Sequence, residues 1–173
     1  MTNIGQIKDR QILYTNIRVD QSWFDKLPNS NWLAFTIADT LDKDLLSDTT
    51  KKCLDKNVLY TCSAGQLGSD TEDYFDEEIV WRQVQIEEQT GKPQDYEVSP
   101  MTSFHRNFDE GFWFATTVAQ ATEYEKDIPI DTVVCVDMTR QGVKNYLIEL
   151  IDKIIKGWFP SDNEVEALKY DAE

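Results

Sequence analysis

The sequence has little of what most site chemistries require. It holds one histidine, His105, and three cysteines with no Cys-x-x-C pair. That composition argues against a zinc site and against a disulfide framework, since both need several spaced Cys or His ligands or partners. Three reduced, mostly buried thiols are expected instead. No stretch approaches 18 uncharged apolar residues, so no membrane span is expected. Met1 to Arg10 lacks the apolar core of a signal peptide, and a cytoplasmic location follows as the expectation. Positive charge is also scarce. Seventeen Lys and Arg face 32 Asp and Glu, a formal charge of −15. Binding nucleic acid or an anionic membrane needs cations against phosphate, so both partners are disfavoured. Neither G-x-G-x-x-G nor G-x-x-x-x-G-K-[ST] occurs. No cofactor and no metal are expected.

Core material is present. Hydrophobic residues make up 40% and aromatics 12% of 173 residues, enough for one domain with its own core. Trp32 to Ala38, Val58 to Ser63, Met101 to Phe104 and Thr132 to Met138 read as strands. Leu41 to Asn57, Asp70 to Gln89, Asp109 to Tyr124 and Gln141 to Trp158 read as helices. Strands apolar on both faces and separated by helices predict a parallel sheet covered on both sides. The expected fold is a single α/β domain over 1–173, a three-layer sandwich with a mostly parallel sheet of four, or at most five, strands. Residues 1–30 are expected to be an extension with a possible edge strand, Gln11 to Val19. Residues 160–173 are expected to be an acidic tail. Val143, Tyr146, Leu147, Leu150, Ile151, Ile154, Ile155 and Trp158 form one helical stripe for packing on the sheet, with a dimer helix as the alternative.

Ligands of open parallel sheets bind beyond the carboxyl ends of the strands. That rule selects a rim of Asp39, Ser63, Gly65, His105, Asp109 and Asp137. Ser63 as nucleophile with His105 and Asp109 is a conceivable hydrolytic set. However, Ser63 lies in Cys-Ser-Ala-Gly-Gln and not in a G-x-S-x-G elbow. The plainer reading has His105 cap the next helix or bond a rim carboxylate. The loop after Ser63 is read as a helix entry with Ser69 or Asp70 as N-cap, because Asp70, Glu72 and Asp73 would repel a phosphate there.

The charge is unevenly placed. Residues 1–35 carry four cations and three acids, whereas residues 70–88 carry eight acids against Arg82 alone. Tyr74 and Trp81 are interleaved with the acids, seven residues apart and so on one face of the helix. Aromatics among carboxylates suit a cationic protein partner. Asp70, Glu72, Asp73, Tyr74, Asp76, Glu77, Glu78 and Trp81 are therefore the candidate partner-binding set, weighed against a merely solvated face.

Met101-Thr-Ser-Phe-His105, then Asp109-Glu110, then Phe112-Trp113-Phe114, resembles an uncharacterised bacterial α/β domain family with no known activity. Its strand ends in Met-Thr-Thr-Trp-His, and Phe104 stands here where that motif has Trp. Trp32 to Asp39 and Tyr60 to Gly65 resemble its first two strands. The resemblance covers about residues 30–138 and implies the α/β fold and the rim residues only.

Two functions compete. One is an acidic protein-binding module, such as an immunity or inhibitor protein that neutralises a basic bacterial toxin or effector. The other is a small-ligand or hydrolytic domain using the strand rim. DNA mimicry is a weaker third reading, since half the charge sits on one helix. The chain leans away from being an enzyme, and its oligomeric state is not legible.

Overall fold

The computed structural model describes residues 1–92, 99–123 and 126–161. The acidic tail therefore lies outside the described residues from 162 onward. Strands β1 (Thr2–Ile7), β2 (Arg10–Asn16), β3 (Trp32–Ile37), β4 (Tyr60–Ala64), β5 (Met101–His105) and β8 (Thr132–Asp137) form one sheet in the order β1-β2-β8-β3-β4-β5. Five of the six strands run parallel, and β1 pairs antiparallel with β2. Strands β6 (Ala121–Glu123) and β7 (Lys126–Ile128) make a separate short hairpin.

The α/β class is as expected, but the sheet has six strands and not four or five. The first 30 residues are not an extension, because they supply β1 and β2. The segment expected at an edge, β2, lies inside the sheet between β1 and β8. The β1–β2 hairpin turns through Lys8 and Asp9, with Lys8 at φ 50°. Such a turn usually carries Gly, Asn or Asp at its left-handed position, so the sequence gives it no signature.

Helices α1 (Lys43–Asp55) and α2 (Gly68–Thr90) cover one face. Helices α3 (Phe108–Thr117) and α4 (Lys144–Ile155) cover the other. Alternation along the strands divides the core accordingly. Leu33, Phe35, Tyr60, Cys62, Val133 and Cys135 meet the α3–α4 side, while Trp32, Ala34, Val134 and Val136 meet the α1–α2 side. All three cysteines are free and buried. Among the described residues no helix is long and apolar enough to cross a membrane.

Several boundaries differ from expectation for local reasons. Helix α1 starts at Lys43 because Asp42 caps it, Oδ1 accepting from the Leu45 N–H at 3.2 Å. Leu41 thus precedes the helix and is exposed. Helix α2 begins at Gly68 after Leu67, with no side-chain cap, so neither Ser69 nor Asp70 is the N-cap. Its end is Gly91 at φ 66°, a left-handed cap of the usual kind. Helix α3 stops at Thr117, not Tyr124. The Arg10 guanidinium donates to the carbonyls of Ala115 in the last turn and of Ala119 just past the C-cap, satisfying acceptors at the helix end. On α4, Leu147, Leu150, Ile151 and Ile154 are buried, whereas Tyr146 and Ile155 at the stripe's borders are exposed.

Candidate functional site

Parallel register lines up the strand ends. Asn16, Asp137, Ile37, Ala64 and His105 are neighbours in one row across β2, β8, β3, β4 and β5. The chain leaves β3 toward α1 and β8 toward α4, on opposite faces, which is where an open sheet places a ligand crevice. Here the crevice is tied shut. Asp137 is fully buried, and its carboxylate accepts from the Tyr14 hydroxyl (2.5 Å), the Thr139 N–H (2.7 Å) and the Val143 N–H (2.8 Å). Burial and this carboxylate both push the Tyr14 phenol up. Asp39 accepts from the Arg140 N–H at 3.0 Å across the gap, which holds its carboxyl below the usual range. Arg18 Nε donates to the Met138 carbonyl at 2.6 Å. One ring further along, Phe108 packs against Phe35 and lies near Gly65.

The remaining rim residues are close in the row but have separate partners. Ser63 is buried, its hydroxyl 2.8 Å from that of Thr36. His105 Nδ1 lies 3.2 Å from Glu110 Oε1, and its ring packs on Phe114 at 4.8 Å. Asp109 accepts from the Tyr146 hydroxyl at 2.6 Å, which pushes that phenol up to about 12. Ser63, His105 and Asp109 therefore do not form a hydrogen-bonded triad, and Asp39, Asp109 and Asp137 do not share a site. Gly65, at φ 90°, donates its N–H to the His105 carbonyl at 3.0 Å and so joins the rim through backbone. Helix α3 enters over this corner because Asn107 caps it, its Oδ1 accepting from Asp109 and Glu110 N–H.

The residue missed from the sequence is Glu110. It is mostly buried, its Oε1 faces the histidine, and its Oε2 is buried with no hydrogen-bond partner. The available signal was a carboxylate in the first turn after the only imidazole. The Cys62 thiol nearby is pushed up to about 12 by burial, with Glu110 and Glu72 adding to the shift. A thiol held protonated is a poor nucleophile.

The other candidate set lies on α2. Arg82, the helix's cation, turns inward. It pairs with Glu78 at 2.9 Å and with Asp55 of α1 at 2.8 Å, and donates to the Lys51 carbonyl. The outer face is left with Asp73, Asp76 and Glu77, exposed and with no ion pair among the described residues. Trp81 is 58% exposed and Val80 55%, and Val84 continues the same strip one turn on. Asp70 is half-exposed at the start of the helix. Tyr74 is half-buried and packs against the α1–α2 core, so it does not share the exposure of Trp81. Glu72 is also half-buried, and burial together with Asp76 and Asp73 raises its pKa. The face thus narrows to carboxylates in the first half of α2 and an apolar strip in the second.

A family described only as a domain of unknown function (DUF7684) matches residues 12–154. The chain belongs to this family. The match agrees with the resemblance to an uncharacterised family, and it runs from the third residue of β2 to all but the last residue of α4. The DUF7684 region thus holds both the strand rim and the α2 face, while β1 precedes it. No curated protein matches the chain.

Proposed function

We propose that this DUF7684 protein is an acidic protein-binding module. In this reading it is an immunity or inhibitor protein that neutralises a basic bacterial toxin or effector, acting in the cytoplasm and docking through the outer face of α2. The observation that carries the reading is an exposed Trp81–Val80–Val84 strip continuous with unpaired Asp73, Asp76 and Glu77. Exposed apolar residues in a contiguous strip mark interaction surfaces more than scattered ones do. Tryptophan is the residue most enriched among interface anchors. Unpaired carboxylates beside it select a cationic partner and speed its approach.

The test places a photo-crosslinking side chain at Glu88 to trap the partner in the source cell. Affinity of the purified pair is then measured for wild type, Trp81→Ala and the double variant Asp73→Lys, Glu77→Lys. Trp81→Ala is expected to weaken binding by about 2 kcal/mol, some thirtyfold. The double reversal is expected to weaken it at low salt and to flatten its salt dependence. Unchanged affinity in both variants would falsify the assignment of this face.

The rim reading has one observation in its favour, the buried and unpartnered Glu110 Oε2 beside His105. Its proposed nucleophile, Ser63, is turned to Thr36 on the α1–α2 side of the sheet. The α2 reading is therefore preferred.

A further inference from the structure

At the opposite end of the sheet from the rim, the carboxyl ends of α3 and α4 splay apart. Helix α3 packs on β3, β4 and β5, while α4 packs on β1. The space between their last turns is a half-open cleft of about 510 Å³. Its walls are Trp113 and Val118 from α3 and Ile154, Ile155, Trp158 and Phe159 from α4 and beyond. Ile155 and Phe159 are 64% and 68% exposed. The volume falls in the range that encloses a small molecule, about 300–1,000 Å³.

Among the described residues no acid lines this cleft, and its one charged liner is Lys8 in the β1–β2 turn, opposite in sign to the net charge of −15. The Lys8 ammonium is exposed and makes no ion pair among the described residues. Two helix carboxyl ends would ordinarily repel an anion. Here Arg10 takes the Ala115 carbonyl of α3 and the Ala119 carbonyl just past it, and the N–H groups of Lys156, Gly157 and Trp158 take the Asp152, Ile154 and Lys153 carbonyls of α4.

We propose that this cleft binds a medium-chain fatty carboxylate, with the acyl chain between Trp113 and Trp158 and the carboxylate on the Lys8 ammonium. The site shares no residue with α2 and does not depend on the partner-binding reading.

Isothermal titration of the full-length protein with decanoate, octanoate and decanol tests it, with tryptophan fluorescence as a second readout. Saturable 1:1 binding of decanoate is expected. Each methylene removed from water multiplies affinity by about fourfold, so octanoate, two methylenes shorter, should bind about fifteenfold more weakly. Lys8→Glu should weaken decanoate several-fold and leave decanol unchanged. Ile155→Glu, at an exposed wall position that the core does not need, should weaken both. Trp81→Ala should leave all three affinities as in wild type, which separates this test from that of α2. The proposal is overturned if decanoate shows no saturable binding or if neither Lys8→Glu nor Ile155→Glu changes it. It is also overturned if the chain self-associates through this face, shown by a concentration-dependent mass in sedimentation that Ile155→Glu abolishes.

Discussion

Asp137 shows how one buried carboxylate organises the strand ends. It satisfies Tyr14, Thr139 and Val143 at once, so removing it strands three donors and leaves a hole. Asp137→Ala is expected to cost about 3 kcal/mol of stability, read as a lower urea midpoint. Two exposed or half-exposed carboxylates should make opposite contributions to the pH profile. The Arg140 N–H depresses the pKa of Asp39. Its stabilisation is therefore present above the unfolded value of about 3.9 and is lost as pH falls through the lower folded value. Burial, then Asp76 and Asp73, raise the pKa of Glu72. Stability linked to Glu72 is fully present below about 4.3 and is lost as pH rises through the raised folded value. Glu72→Gln should thus be more stable than wild type at pH 7, with the gain shrinking toward pH 3. Thermal melts across that range check both the sign and the window.

At the scale of elements, close approach of helix to strand sets the geometry of the rim. A Cβ on Gly111 would lie 2.8 Å from the Ala64 Cβ and 3.0 Å from the His105 Cβ. Gly111→Ala must push α3 off β4 and β5, and a destabilisation of about 1–3 kcal/mol is expected. A changed His105 imidazole signal in NMR spectra should accompany it. Helix α2 carries the opposite kind of compromise. Asp73, Asp76 and Glu77 stand three and four apart, a spacing at which like charges destabilise a helix by a few tenths of a kcal/mol. Asp73→Lys converts these repulsions into attractions. It is expected to leave thermal stability equal or slightly higher while weakening the partner complex. A gain in stability with a loss of binding is the behaviour of a surface kept for contact.

The whole molecule is polarised. Acids gather on the outer face of α2, while the cleft between the α3 and α4 ends is lined by Lys8 and, among the described residues, by no carboxylate. A partner drawn to α2 by charge should associate faster at low salt, and the rate should fall as ionic strength shortens the range of the field. Stopped-flow association at about 20 and 300 mM salt measures this, with dissociation expected to change little. The sheet is also tied to its helices over a long sequence distance. Arg10 at the start of β2 ends α3, more than a hundred residues later in the chain.

The parallel core was legible because WLAFTI, YTCSA and TVVCVD are apolar on both faces, and only strands buried on both sides need that composition. The concentration of acids on α2 was legible for the same reason, since charge is a local property. Strand β1 was not legible, because TNIGQI is a mostly polar edge strand and its turn uses a left-handed lysine. The end of α3 was not legible either, because an arginine distant in sequence decides it. Nor could spacing assign partners at the rim. Ser63, His105 and Asp137 lie at strand ends and Asp109 in the first turn of α3, but Thr36, Glu110, Tyr14 and Tyr146 hold them. Local pattern fixed which residues form the layers. Long-range packing decided which polar groups are already satisfied, because a hydrogen bond depends on what lies within 3 Å in space and not on what lies nearby in sequence.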